Sequence, residues 1–204
     1  MDKRVVKYLI VIFAYLAVLY PVSVRLKSIN WTTDAALLLN LFPVFGLVAF
    51  AILWLHALSG VFEPWLRNNF DFDRFVHNTS MLVLVCIILH PLLLFVYVDF
   101  NLEKILLYYG HLLYIRLGVV GWLLLITYDI GKALKKYNFF ARNWNKILLI
   151  STIGFLLTFF HSVRLGSDLQ SGPLRTVWIF YGVTAIFATL YTYGIKRIFN
   201  NNKS

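Results

Sequence analysis

Long apolar runs alternate along the chain with short polar clusters rich in lysine and arginine. Six runs, at residues 5–24, 35–58, 75–98, 112–130, 147–163 and 176–195, approach the ~20 residues that a helix needs to cross a hydrocarbon core roughly 30 Å thick. None of them alternates with the period of two expected of a half-buried strand. Lipid offers the backbone no hydrogen-bond partners, so only helices or a closed barrel can span it. The pattern therefore predicts an all-α integral membrane bundle of six transmembrane helices. The first run is of full spanning length and no small-x-small cleavage site follows it, so it reads as a helix rather than a signal peptide.

Composition supports this. Of 204 residues, 60% are hydrophobic and 14% charged, more apolar surface than a soluble domain of this size can bury. No linker, low-complexity tract or internal repeat is found, and residues 1–204 read as a single membrane domain. The single cysteine, Cys86, lies inside an apolar run, which excludes an internal disulfide framework and any CxxC site. The net charge of +10 sits in clusters between runs, without the interleaved aromatic and basic residues of an RNA-binding surface, so nucleic acid is excluded as a partner.

The basic clusters read instead as topology signals. With the N-terminus inside, the inner segments carry Lys3, Arg4, Lys7, Arg67, Arg74, Lys132, Lys135, Lys136, Arg142, Lys146, Lys196, Arg197 and Lys203, thirteen of nineteen basic residues. This excess predicts that both termini are cytoplasmic. Trp31, Trp65 and Trp144 fall near run boundaries, as an interfacial aromatic belt would.

The candidate chemistry lies in five histidines: His56, His77, His90, His111 and His161. An imidazole inside a spanning helix is costly unless it has a partner, a cavity or a ligand. His90 lies sixteen residues beyond Arg74 and His161 fifteen beyond Lys146, which places both at similar depth in the outer half of parallel helices. Two neutral imidazoles so placed are what a six-coordinate haem iron requires, and they are assigned as its axial ligands.

His77 precedes His90 by thirteen residues, about 20 Å along a helix, a rise that suits a second haem, although the two lie roughly 140° apart around the axis. The position at matching depth on the fifth helix is Leu148, which cannot ligate iron. An inner haem on His77 would need His56 as its other ligand. The alternative for both is a hydrogen-bonded or interfacial side chain. His111 opens the fourth helix at the outer boundary, where an unligated imidazole costs little. Arg116 and Arg164, on the outer side, could pair with haem propionates or snorkel to the interface.

The segments FDRFVHNTSMLVLVCIILHP (residues 72–91), ARNWNK (141–146) and FFHSVRLGSDLQSGPLR (159–175) resemble the ferric reductase-like transmembrane domain family. That family includes the membrane parts of NADPH oxidases and ferric reductases and the bacterial haem subunit of the methionine sulfoxide reductase system. The resemblance spans roughly residues 40 to 195. It implies an outer haem b on His90 and His161 and an inner haem on His77 and position 148, where Leu148 breaks the family pattern.

It further implies a multi-pass protein of a bacterial plasma membrane, and an electron-transfer component of an oxidoreductase rather than a complete enzyme. Electrons would come from a separate cytoplasmic flavoprotein or from quinol and go to an extracytoplasmic acceptor, with any flavin on the partner. The rival expectation is a haem-free assembly or transporter subunit that keeps the fold and uses its histidines structurally. No nucleophile triad, phosphate-binding loop or carboxylate pair suggests hydrolytic chemistry.

Overall fold

The computed structural model describes residues 3–29, 31 and 36–196, with the side chains of Lys3, Tyr108 and Tyr109 excepted. Ala35, Arg197 and Lys203 of the reading above lie outside these residues. Nine α-helices follow one another with no strand among the described residues: α1 (Lys3–Ser28), α2 (Ala36–Val61), α3 (Glu63–Asn69), α4 (Phe72–Tyr97), α5 (Leu102–Tyr109), α6 (Leu112–Ala133), α7 (Asn138–Arg142), α8 (Trp144–Leu165) and α9 (Gly172–Leu190). A π-helical turn, Tyr191–Ile195, continues α9.

Six of these helices, of 22 to 26 residues when the π-helical turn is counted with α9, are long and apolar enough to cross a membrane. The expected six spans are therefore present, and the chain reads as a multi-pass membrane protein whose outward side chains, such as Leu9, Ile12, Leu16 and Leu19 on α1, meet lipid. The helices run past the apolar runs at most of their ends. Helical hydrogen bonding continues through polar flanking residues, whereas the apolar signal stops where the hydrocarbon does.

The short helices α3, α5 and α7 were not expected, and the first two are punctuated locally. Pro64 stands in the first turn of α3, where its missing N–H costs nothing. The Asn101 side chain accepts from the backbone N–H groups of Glu103 and Lys104 at 2.9 and 3.3 Å at the start of α5, after Asp99 and Phe100 turn the chain through positive φ of 55° and 57°. Asp71 caps α4 by accepting from the N–H of Arg74 at 3.2 Å.

The chain divides into two compact units, Met1–Lys104 and Ile105–Ser204. In the first, α2 packs antiparallel on α4, as the pairings of Phe42 with His90 and of His56 with Thr79 require. Helix α1 joins α2 through Phe13 and Trp54, whose rings are 5.9 Å apart, and through the buried Arg25, whose guanidinium donates to the Asn40 carbonyl at 3.0 and 2.8 Å. Cys86 is buried on α4.

In the second unit α6 and α8 are antiparallel and cross where Gly121 meets Gly154. A Cβ built on Gly121 would stand 2.9 Å from the Gly154 carbonyl oxygen, and one on Gly154 would stand 2.7 Å from that of Gly121. Small residues of this kind let helix backbones approach closely where the hydrophobic effect between spans is absent. Helix α9 seats on α8 through the Trp178 indole N–H, which donates to Ser162 Oγ at 2.9 Å.

Candidate functional site

His90 lies eighteen residues beyond the start of α4 and His161 seventeen beyond the start of α8, so each occupies a matching level of its own helix pair. Both are half-buried. His90 Nδ1 lies 2.8 Å from the carbonyl oxygen of Phe42 on α2, and His161 Nδ1 lies 2.9 Å from the carbonyl oxygen of Tyr114 on α6. A carbonyl oxygen can only accept, so in both rings the proton sits on Nδ1 and the lone pair of the neutral imidazole sits on Nε2.

The approach to each carbonyl is open for a local reason. Every helical Cβ leans toward the N-terminus, so a side chain at i+4 overhangs the carbonyl of residue i, the position from which serine or threonine bonds back to it. Four residues after Phe42 stands Gly46, and four after Tyr114 stands Gly118. A Cβ on Gly46 would lie 2.9 Å from both Nδ1 and Cε1 of His90. One on Gly118 would lie 2.7 Å from Cε1 of His161 and closer still to its Nδ1. Each imidazole thus occupies a cradle that a methyl group would fill.

The other histidines are held differently. His56 Nε2 is 2.7 Å from Thr79 Oγ1, and Thr79 Oγ1 donates its only hydrogen to the Phe75 carbonyl at 2.6 Å. Nε2 of His56 must therefore be the donor, which gives His56 the opposite tautomer from His90 and His161. Its ring also meets Phe75 edge-on at 5.8 Å. His77 is exposed near the start of α4. Leu148 lies on α8, where its carbonyl accepts from Thr152 Oγ1 at 2.8 Å. His111 is the exposed N-cap of α6, its ring 6.2 Å from Tyr114.

Arg116, near the start of α6, and Arg164, near the end of α8, are both exposed, and the antiparallel packing puts them at the same end of the pair. The Arg164 guanidinium stands 5.8 Å over the Tyr114 ring. In the first unit Arg67 on α3 bridges Asp73 at 2.6 Å and Glu63 at 3.0 Å. Hydrogen bonds to Asp73 first and Glu63 second hold its pKa above the ordinary arginine value.

No three His, Cys, Asp or Glu side chains converge among the described residues as a bare metal ion would need. Haem asks the protein for only two axial donors, and an imidazole whose Nδ1–H is tied to a carbonyl is the usual form in which histidine meets a metal. His90 and His161 each present an imidazole of that form. No family model, curated protein or solved structure matches the chain.

Sequence reasoning missed Gly46, Gly118, the two carbonyls and Thr79. The available signal was an aromatic residue, three residues, then glycine, on the helix preceding each outer histidine: FPVFG at 42–46 and YIRLG at 114–118.

Proposed function

We propose that this chain is the b-type haem subunit of a membrane electron-transfer system, with His90 and His161 as axial ligands to the iron. The observation that carries the reading is the shared tautomer. Each of these two imidazoles, and not His56, is fixed with Nδ1–H on a helix carbonyl and its lone pair on Nε2, the state an axial ligand needs. Bound haem would supply a one-electron iron couple. The chain's own residues orient the imidazoles, raise their basicity through the carbonyl bond and surround them with apolar side chains.

On this reading Arg116 and Arg164 pair with haem propionates, and the Tyr114 ring helps to hold the Arg164 guanidinium in place. One haem is bound rather than two, because Leu148 offers no donor and His56 is committed to Thr79 through Nε2–H. The excess of basic residues in the inner segments supports cytoplasmic termini. Electrons then enter from a separate cytoplasmic flavoprotein or from quinol and leave to an extracytoplasmic acceptor.

The test is a dithionite-reduced minus oxidised spectrum of the purified protein, expressed with haem supplied, together with its haem-to-protein ratio. The expected result is the α and Soret bands of low-spin haem b at a ratio near one. Protein free of these bands would leave the haem-free assembly or transporter reading in its place.

A further inference from the structure

We propose that Gly46 and Gly118 are positioning residues, one in each unit, that hold the ligand imidazoles by leaving the i−4 carbonyl open to them; this rests on the haem reading above. The two cradles are local copies of one device. Phe42 and Tyr114 are 72 residues apart, as are Gly46 and Gly118, while His90 and His161 are 71 apart. The crossing glycine Gly121 has Ala49 as its counterpart 72 residues earlier, and Gly154 has Val83 71 residues earlier; both counterparts are buried. An accidental interhelical contact has no reason to recur with the same atom of the ring, the same backbone atom and the same glycine at i+4.

The chemistry follows from the geometry. With the glycine present, the carbonyl's second lone pair accepts Nδ1–H while its first remains available to the helix. A Cβ at i+4 displaces the ring from the carbonyl, and three properties change together. The tautomer is no longer dictated, Nε2 loses its aim, and the imidazole donates less electron density because Nδ1–H is no longer polarised by an acceptor. The cradle therefore sets both haem retention and the position of the iron couple. Among the histidines of the described residues it occurs at His90 and at His161, whereas His56 meets a threonine hydroxyl.

The experiment compares Gly46→Ala, Gly118→Ala and the control Gly194→Ala, whose Cβ would meet nothing within 4 Å, in the full-length protein. Each cradle variant is expected to bind haem about 10- to 100-fold more weakly, the usual cost of losing a ligand's hydrogen-bond partner. Haem that is retained should show a raised reduction potential and altered low-spin EPR g-values, while Gly194→Ala matches the wild type.

Folding is separated from positioning in the haem-free full-length protein labelled with 15N-histidine. There His90 and His161 should give the Nδ1–H tautomer and His56 the Nε2–H tautomer, and each glycine variant should lose the Nδ1–H signature of its own histidine alone. A paired set, Gly118→Ala with and without His161→Ala, should show the alanine destabilising only when the imidazole is present. Cradle variants that load haem with unchanged potential, g-values and tautomers overturn the inference while leaving the haem reading intact. A haem-free wild type overturns both.

Discussion

The α2/α4 pair and the α6/α8 pair agree at one level and differ at the other. Near the C-terminal ends of α4 and α8, each pair presents an imidazole bonded through Nδ1 to a carbonyl and seated on glycine. Toward the other end the resemblance is gone. The first pair has His56 donating to Thr79 and an exposed His77, whereas the second has Gly131 against Ile147 and a leucine at position 148. What recurs is the presentation of Nε2, and what varies is ordinary interhelical packing. On the proposed haem reading, the recurring pair are the ligands and the rest is filler.

Six substitutions test it, in falling order of effect. His90→Asn and His161→Asn come first, because the asparagine amide can still donate to the Phe42 or Tyr114 carbonyl but offers no donor to iron. Either should abolish bound haem by difference spectroscopy while the thermal midpoint stays close to that of the wild type. Protein that keeps its haem after both substitutions would dissolve the distinction between the two levels. Gly118→Ala should follow, with a larger loss of haem than Gly46→Ala, since its Cβ would come closer to the imidazole.

Thr79→Val removes the hydroxyl facing His56 at nearly constant volume. It should cost on the order of 1 kcal/mol of stability, read by thermal denaturation, and leave the haem spectrum unmoved. A changed haem content would restore His56 as a ligand and the inner haem with it. Arg67→Ala, which breaks the exposed bridges to Asp73 and Glu63, should change neither haem content nor thermal midpoint, because solvent screens such pairs.

The six spans were readable because membrane thickness dictates both their length and their apolarity, and counting residues beyond basic boundaries anticipated the matching positions of His90 along α4 and His161 along α8. The short helices were not, since seven residues of α3 or five of α7 carry too few turns to show a period. The duplicated cradle escaped for a related reason. Residues 42–49 and 114–121, taken with 83–90 and 154–161, share only Gly46, Val48 and His90 with Gly118, Val120 and His161, and identity that sparse falls below any visible repeat. The device needs a backbone carbonyl, which every residue has, and the absence of a Cβ, which leaves only a glycine in the text. The tautomer of His56 was equally hidden, because it depends on where the hydrogen of Thr79 goes.

Cys86, the single thiol, is 3% exposed on α4, so the native chain should be nearly silent toward water-soluble alkylating reagents. A cysteine introduced at Lys104 or at Arg142, both at exposed positions, would then report which side of the bilayer it faces against an almost blank background. The protein is thus equipped to have its orientation read in intact cells with the native Cys86 left in place.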